Sequence, residues 1–293
     1  MTQRVLITGA GGQLGRELLD TAGDRFDAVA LGHADCDIGD AQSVAARLRE
    51  HSPQVVINAA AYTAVDKAES EPQQALRVNA VGAENLAIAC AQLDIRLLHI
   101  STDFVFAGTG CQPYKPDAAA DPLGEYGRSK LAGEVAVSTA LPAAVIVRTG
   151  WLYARRGHNF VHIMLRLMRE REVLQVVDDQ IGTPTCARGL AQALWTIAER
   201  PQLRGIYHWS DAGVCSWYDF AVAIAEEAQA CGLLPSVPLI QPVPSSAYPT
   251  PASRPAYSVL DKSATWRDLA CEGQHWRKAL RTMLQQLKDD AHD

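Results

Sequence analysis

The chain has 293 residues, of which 48% are hydrophobic and 20% are charged, and its formal net charge is −6. A chain of this length and composition can bury a large core, which excludes a disordered protein. The acidic balance, without a run of basic residues, gives a nucleic-acid partner no electrostatic support. We therefore expect a globular protein that binds no nucleic acid.

The seven cysteines are scattered along the chain, and none of them belongs to a Cys-x-x-Cys pair. This pattern argues against a zinc site and against a disulfide framework, so we predict no metal ion and a reducing, cytoplasmic location. The segment Arg4–Gly9 starts a strand pattern without the apolar stretch of a signal peptide. No apolar run reaches the length of a membrane span, so we expect no membrane partner.

Short apolar runs alternate with helical patterns in the first half of the chain. The predicted strands are Val5–Thr8, Ala28–Leu31, Val55–Ala59, Leu97–Ser101 and Ala144–Arg148. The predicted helices are Gln13–Thr21, Ala41–His51, Pro72–Gln92 and Tyr126–Ser138. Apolar strands separated by helices indicate a parallel sheet that is covered on both faces. The predicted fold class is therefore α/β, a doubly wound parallel sheet of the Rossmann type.

The pattern becomes less regular after Trp151. We predict helices at 160–170, 186–199, 217–230 and 275–288, strands at 173–177 and 205–209, and an extended loop through the proline-rich segment 235–255. Residues 1–150 and about 173–209 are expected to form the dinucleotide-binding domain. Residues 151–172 and 210–293 are expected to form a smaller C-terminal substrate-binding lobe over the carboxyl edge of the sheet.

A glycine-rich loop joins the first predicted strand to the first predicted helix, with Gly9, Gly12 and Gly15 at three-residue spacing. Glycines let the backbone turn sharply and approach a pyrophosphate, while the start of a helix offers free N–H groups and a favourable dipole. This spacing is the form found in short-chain dehydrogenases. The loop therefore predicts a dinucleotide cofactor, NADPH or NADH.

The choice between the two nicotinamides stays open. An acidic residue at the end of the second strand selects NAD, whereas an arginine suits the 2′-phosphate of NADP, and His33 is neither. Asp37 and Ile38 follow shortly after. They are placed either to hold the adenine edge or to form the turn before the helix that begins at Ala41, and the sequence does not separate these alternatives.

Tyr126 and Lys130 lie four residues apart at the start of a predicted helix and therefore share one face. A nearby ammonium is expected to lower the pKa of the phenol towards working pH, so that Tyr126 passes a proton to a carbonyl oxygen as hydride reaches the carbon. Thr102 directly follows the fourth predicted strand, at the edge where parallel sheets bind their ligands, and is placed to hydrogen-bond the same carbonyl. The three residues predict a carbonyl reductase.

Seven segments carry a resemblance to a known family. They are Gly12–Gly15, Val56–Lys67, Ser101–Gly108, Tyr126–Glu134, Arg148–Tyr153, Asp179–Thr185 and Arg254–Asp261. In them the chain resembles the dTDP-4-dehydrorhamnose reductase family of extended short-chain dehydrogenases, and Ala61–Lys67 and Asp179–Thr185 are the most family-specific. The resemblance implies an NAD(P)H-dependent reduction of the C4 keto group of dTDP-4-dehydro-L-rhamnose to dTDP-L-rhamnose, as used in lipopolysaccharide O-antigen biosynthesis.

The resemblance also implies roles for individual residues. Tyr126 would donate the proton, Lys130 would be its electrostatic partner and a ribose ligand, and Thr102 would contact the substrate carbonyl. The further cofactor-binding residues implied are Gly9, Gly12, Gln13, Leu14, Gly15, Asp37, Ile38, Ala61, Tyr62, Thr63 and Ile100. The substrate-binding residues implied are Thr63, Val65, Thr102, Asp103, Trp151 and Arg254. Some family members hold a divalent ion at a dimer interface. We predict no metal here, because no matching ligands are recognised, and allow for a homodimer.

Four further features have two interpretations each. Asn79 supports a proton relay or only bonds nearby helix backbone, and His158 with His162 forms a metal pair or a solvated helix face. Trp151 is a pocket wall or a core aromatic. Arg254 clamps the substrate diphosphate in a bidentate manner or pairs with a surface carboxylate.

Three functional hypotheses follow. The first is the reductase, which the complete set of Thr102, Tyr126 and Lys130 favours. The second is a non-enzymatic NADP-binding regulatory subunit, because the regulatory subunit of methionine adenosyltransferase resembles the same family. The third is a nucleotide-sugar 4-epimerase that uses the same groups and retains its NAD.

Overall fold

The computed structural model describes residues 2–290 of the chain. Its strands are β1 (Gln3–Thr8), β2 (Phe26–Leu31), β3 (Val55–Asn58), β4 (Arg96–Thr102), β5 (Val145–Thr149), β6 (Leu152–Tyr153), β7 (Val173–Val177), β8 (Ile181–Gly182), β9 (Thr185–Cys186), β10 (Gly205–His208), β11 (Cys215–Ser216) and β12 (Leu239–Val243). Its α-helices are α1 (Gln13–Thr21), α2 (Ala41–His51), α3 (Val65–Ala68), α4 (Pro72–Leu76), α5 (Gly82–Gln92), α6 (Glu125–Ala140), α7 (Phe160–Glu170), α8 (Ala187–Ala198), α9 (Trp217–Ala230), α10 (Ser263–Leu269) and α11 (Trp276–Asp290). A π-helical turn, Arg77–Val81, joins α4 to α5.

Six strands form one parallel sheet in the order β10-β5-β4-β3-β1-β2. The chain runs from β1 to β2 on one side and then crosses to β3 on the other side, so the direction of winding reverses between β1 and β3. Ligands of doubly wound sheets bind outside the carboxyl ends of the strands at such a reversal. The predicted α/β fold class is confirmed.

The sheet is buried on both faces by separate layers of helices. Along β1, Val5 and Ile7 pack into the cluster that includes α1 and α8, whereas Leu6 packs into the cluster that includes α2 and α5. Successive side chains of a strand point to opposite faces, so a strand covered on both sides has a continuous apolar sequence. Each such fully buried side chain stabilises the fold by roughly 1.5–3 kcal/mol.

A third apolar cluster brings together α7, α9 and α11 around Phe220 and Leu280, and these helices with β7 and β12 are called the smaller lobe below. The strand β7, which the sequence analysis placed in the sheet domain, pairs in parallel with β12 and not with the six-stranded sheet. The prediction of a loop throughout 235–255 is wrong for Leu239–Val243. Pro242 lies within β12, at the edge of a two-stranded sheet where the missing N–H of a proline is tolerated.

Two short ladders form after β5, outside the six-stranded sheet. The strand β6 pairs with β9 in parallel, and β8 pairs with β11 in antiparallel. The helix α8 and the strand β10 return to the six-stranded sheet, and α10 packs beside them. Within residues 2–290, no helix has both the length and the hydrophobicity of a membrane span.

Candidate active site

The glycine loop lies directly against the end of β3. A Cβ atom at Gly9 would lie 2.6 Å from the backbone nitrogen of Ala60, and Gly9 has a positive φ of 69°. Only glycine fits this close approach without strain. The loop leads into α1, whose N-cap Gly12 supplies no side-chain cap. The backbone amides at the start of α1 are therefore available to an anionic group.

The side chain of Gln13 contacts the smaller lobe. Its Nε2 donates to the carbonyl oxygen of His158 at 3.2 Å, and Asn159 Nδ2 donates to its Oε1 at 2.9 Å. Leu14 is buried beneath the loop. The side chain of Gln13 therefore joins the start of α1 to the segment before α7.

His158 and His162, the pair suggested by the sequence, belong to no cluster of metal-ligand side chains among residues 2–290. His162 Nε2 lies 2.9 Å from the carbonyl oxygen of Arg155. Across that part of the chain, no three His, Cys, Asp or Glu side chains converge as metal ligands do.

Asp37 and Ile38 lie in the turn before α2. Asp37 accepts a hydrogen bond from Gly39 N at 2.9 Å and forms an ion pair with Arg77, which holds the pKa of its carboxyl below the ordinary value. Asp40, and not Asp37, caps α2. Ile38 is buried. The carboxylate expected at the adenine is thus already paired with a guanidinium that the sequence analysis did not connect to it.

The three predicted catalytic residues meet at the carboxyl end of β4. Thr102 is the last residue of β4 and Tyr126 is the second residue of α6, and the Thr102 hydroxyl hydrogen-bonds the phenol. Lys130 is buried and donates from Nζ to the carbonyl oxygen of Ile100 at 2.6 Å. The helix approaches the end of β4 closely because Gly127 has no side chain: a Cβ there would clash with the carbonyl oxygen of Phe104, which follows β4.

The electrostatics of the trio differ from the expectation. Burial raises the pKa of Tyr126 to about 12, the Asp103 carboxylate adds to this rise, and the bond from Thr102 opposes it. Burial also lowers the pKa of Lys130 to about 8. The prediction that Lys130 brings the pKa of the phenol towards working pH is therefore wrong, because burial of the phenol dominates and the Lys130 ammonium is directed to the carbonyl oxygen of Ile100. The phenol is protonated at neutral pH.

Asp103 lies buried behind Thr102. Thr102 Oγ1 is 3.1 Å from its Oδ1, and burial raises the pKa of the Asp103 carboxyl to about 6, against hydrogen bonds from Ser258 and Thr102. A Cβ at Gly150 would lie 2.5 Å from the carboxyl carbon. The end of β5 therefore needs glycine at this position to pack on Asp103.

Asn79 joins two parts of the site. Its Oδ1 accepts from Tyr62 N at 2.9 Å, and its Nδ2 lies 3.0 Å from both the Tyr62 carbonyl oxygen and Ser129 Oγ. The buried amide thus fixes the loop after β3, which carries Ala61 and Thr63, to the helix α6. The sequence analysis left Asn79 outside the catalytic set, and nothing in the local pattern marks the π-helical turn that aims it.

The remaining expected pocket residues lie around the loop after β3 and on the lobe. Thr63 is exposed, and Val65 is partly buried at the start of α3. Arg254 pairs with Asp66 in a bidentate manner, at 3.1 and 2.9 Å, and donates to Thr250 Oγ1. This arrangement matches the second interpretation of Arg254, an arginine that pairs with a carboxylate.

Trp151 has a left-handed backbone with φ of 49°, which is unusual for a bulky residue. Its ring stacks on that of Trp217, with centroids 3.5 Å apart and planes 4° apart. The sequence analysis did not single out Trp217, since nothing in the local pattern brings it near the end of β5.

A glycine loop at the reversal of the sheet, with a threonine, tyrosine and lysine at the end of β4, defines an extended short-chain dehydrogenase/reductase. The family model described as RmlD substrate binding domain matches residues 3–289. The chain belongs to this family, as the resemblance of its motifs indicated.

Known reductases are similar to this chain over almost its whole length. The chain is 42% identical over 287 residues to the dTDP-4-dehydrorhamnose reductase of Aggregatibacter actinomycetemcomitans, which covers 96% of this chain and 98% of that protein. The crystal structure of a dTDP-4-dehydrorhamnose reductase from Clostridium acetobutylicum matches with a TM-score of 0.92 at 36% identity, over 98% of this chain and 100% of that one. The dTDP-4-dehydrorhamnose reductase of Bacillus anthracis, solved in complex with NADP, matches with a TM-score of 0.91 at 36% identity, over 97% and 99%.

Proposed function

We propose that the protein is an NAD(P)H-dependent dTDP-4-dehydrorhamnose reductase, which reduces the C4 keto group of dTDP-4-dehydro-L-rhamnose to give dTDP-L-rhamnose. The observation that carries the proposal is the meeting of Thr102, Tyr126 and Lys130 beside the glycine loop. Full-length similarity to reductases of that name supports the substrate class, a nucleotide-activated keto sugar.

The glycine loop fits a dinucleotide, because Gly9 and Gly15 let the turn pack tightly on the backbone after β3 and on itself, as the turn before a pyrophosphate-binding helix requires. The start of α1, with Gly12, Gln13 and Leu14, would hold that pyrophosphate through backbone N–H groups. Asp37 and Ile38 would lie on the adenine side, and the loop Ala61–Thr63 with Ile100 on the nicotinamide side. When bound, NADPH or NADH supplies the hydride.

Tyr126 acts as the proton donor. Its phenol keeps its proton at neutral pH, because burial raises its pKa to about 12. As negative charge develops on the C4 oxygen, that oxygen becomes a stronger base than the phenolate, so the proton moves to it from Tyr126. Thr102 orients the same oxygen. The Lys130 ammonium stabilises the phenolate that remains and binds the ribose hydroxyls.

Thr63, Val65, Asp103 and Trp151 are proposed to bound the sugar pocket. Asp103 is buried behind Thr102, so it acts on the pocket by orienting that hydroxyl. Arg254 already pairs with the Asp66 carboxylate of α3. This pairing favours a structural role, in which Arg254 holds the loop 250–254 against α3, over direct binding of the diphosphate.

The reductase is tested with purified protein, both nicotinamides, and the C4 keto sugar in its L-rhamno and D-gluco configurations, with NMR assignment of the product. We expect NAD(P)H-dependent reduction at C4 of the L-rhamno sugar. Tyr126→Phe should lower kcat by about 10²–10⁴-fold while the Kd of the cofactor stays unchanged. Undiminished turnover of this variant would exclude Tyr126 as the acid.

The same preparation separates the other two hypotheses. NAD that remains bound after purification, with interconversion of 4-epimers, would indicate an epimerase. A stoichiometric protein partner without reduction of any keto sugar would indicate a regulatory subunit. The intact catalytic trio favours the reductase over both.

A homodimer through the outer face of α5 and α6 is part of the proposal. Glu84, Leu131 and Val135 line a shallow depression between the two helices, and Ile88, one turn after Glu84, is also exposed. The side chain of Val135 is 60% exposed, which is high for an apolar residue without a partner. Light scattering should give twice the chain mass, and Val135→Glu should give the single-chain mass.

A cytoplasmic location is also proposed. All seven cysteines are free thiols, including the buried Cys36 and Cys90. Free thiols in this number are typical of a reducing compartment. Cell fractionation tests the proposal.

A further inference from the structure

The backbone of Trp151 is held in a conformation that its residue type disfavours. It follows Gly150 at the end of β5 and has a φ of 49°. A large aromatic residue in the left-handed region persists only where the surrounding structure imposes it, and such positions concentrate at ligand sites. The contacts of the Trp151 ring therefore show what imposes this conformation.

Two contacts from the smaller lobe hold the ring. Trp217 stacks on it in parallel at 3.5 Å, and Gly182 approaches it so closely that a Cβ there would lie 2.5 Å from the indole Nε1. The antiparallel β8/β11 ladder pairs Cys215 with Gly182, and Trp217 follows two residues later. One ladder thus brings both contacts to the same ring.

The orientation of Trp217 is itself fixed. It is the first residue of α9, which begins with a complete capping box: Ser216 Oγ accepts from Asp219 N at 3.0 Å, and Asp219 Oδ2 accepts from Ser216 N at 2.9 Å. Phe160 packs on Trp217 with ring centroids 4.6 Å apart. Trp217 is therefore a rigid support and not a mobile surface aromatic.

The opposite end of this arrangement reaches the catalytic trio. Trp151 is bonded to Gly150, which packs against the Asp103 carboxyl, and Asp103 bonds Thr102. A shift of Trp151 would therefore displace Gly150 and Asp103, which lie next to the hydroxyl proposed to orient the substrate carbonyl.

We propose that Trp217 is a positioning residue: by stacking on Trp151 it holds that ring as the wall of the sugar pocket and so sets the affinity for the sugar half of the nucleotide sugar. This inference rests on the proposed function. The effect of Trp217 is transmitted through its stack on Trp151.

The experiment compares Trp217→Leu and Trp217→Phe with the wild type, using isothermal titration with dTDP-L-rhamnose and with dTDP, and KM and kcat for the keto sugar. We expect Trp217→Leu to raise the Kd of dTDP-L-rhamnose and the KM by about tenfold, equivalent to about 1.4 kcal/mol. The Kd of dTDP should change less than twofold, and Trp217→Phe should recover most of the loss. The matched control is Trp266→Leu, a partly buried tryptophan on α10, which should change neither affinity.

A second variant covers the case in which Trp217→Leu fails to fold. Gly182→Ala leaves Trp217 in place and inserts a methyl group against the Trp151 ring, so it should weaken dTDP-L-rhamnose selectively as well. Equal losses for dTDP and dTDP-L-rhamnose, or no loss, would overturn the inference.

The two levels of the proposal fail in different ways. A wild type that binds dTDP-L-rhamnose more tightly than dTDP but reduces no keto sugar would overturn the proposed function alone, and the affinities of the variants would still decide the role of Trp217. A wild type that binds neither nucleotide would overturn both.

Discussion

Replacing Glu134 by glutamine removes one half of a buried ion pair that joins α6 to β5. Glu134 lies one turn after Lys130 on α6, and its side chain and that of Arg148 are each 3% exposed. The guanidinium binds the carboxylate in a bidentate manner, with Nε–Oε1 at 2.9 Å and Nη2–Oε2 at 2.7 Å. Glu134→Gln therefore leaves Arg148 charged, buried and without its counter-ion.

The expected loss in the free energy of unfolding is about 3–5 kcal/mol, the usual cost of removing one partner of a buried pair. Unfolding entropy of about 2 cal/mol/K per residue gives roughly 0.6 kcal/mol/K for a chain of 293 residues. The melting temperature should therefore fall by about 5–8 °C. Arg148→Met should be destabilised similarly, because it leaves the carboxylate unpaired.

The assay is urea unfolding followed by circular dichroism, together with calorimetry, on both single variants and the double variant Glu134→Gln/Arg148→Met. The double variant should regain most of the loss, since it buries no unpaired charge. A double variant as unstable as the sum of the single variants would refute the reasoning, because packing would then outweigh charge. So would a loss below about 1 kcal/mol in Glu134→Gln.

Three further predictions concern pH and the loop contact. Because burial lowers the pKa of Lys130 to about 8, its ammonium is lost above that pH, and kcat/KM should fall there in a pH–rate profile. Burial raises the pKa of Asp211 to about 7, so the native state binds a proton that the unfolded state releases near pH 4. Stability should then fall as pH rises from about 4 to 7, and Asp211→Asn should flatten that slope in urea titrations. Asp66→Asn and Arg254→Met should raise KM by similar factors, and the double variant should raise it no further. A larger effect of Arg254→Met would instead indicate direct contact between Arg254 and the diphosphate.

The sequence predicted the parts of the molecule whose signals are local. The helix Gln13–Thr21 and the strand β7 have the predicted bounds, since caps, glycines and apolar runs mark them. Thr102, Tyr126 and Lys130 were predicted to lie together because strand ends and helix spacing place them on one edge of the sheet.

Features that depend on tertiary packing were missed. The pKa of Tyr126 follows from its burial, which spacing along a helix does not report. The stack between Trp151 and Trp217 depends on a two-residue ladder too short to carry a pattern. The strand β12 was predicted as a loop because it contains Pro242, and proline is common in loops and is tolerated in sheets only at their edges.

The π-helical turn at Arg77–Val81 links the two ends of the proposed cofactor site. From one side of the turn Arg77 holds Asp37, and two residues later Asn79 holds the loop at Tyr62. A single extra residue in the helix sets the angular offset between these contacts, and its deletion would rotate one against the other by about 100°. The positions of the proposed adenine and nicotinamide ends are therefore both set by this one helix. A shift of the helix, by evolution or by engineering, would change both ends together.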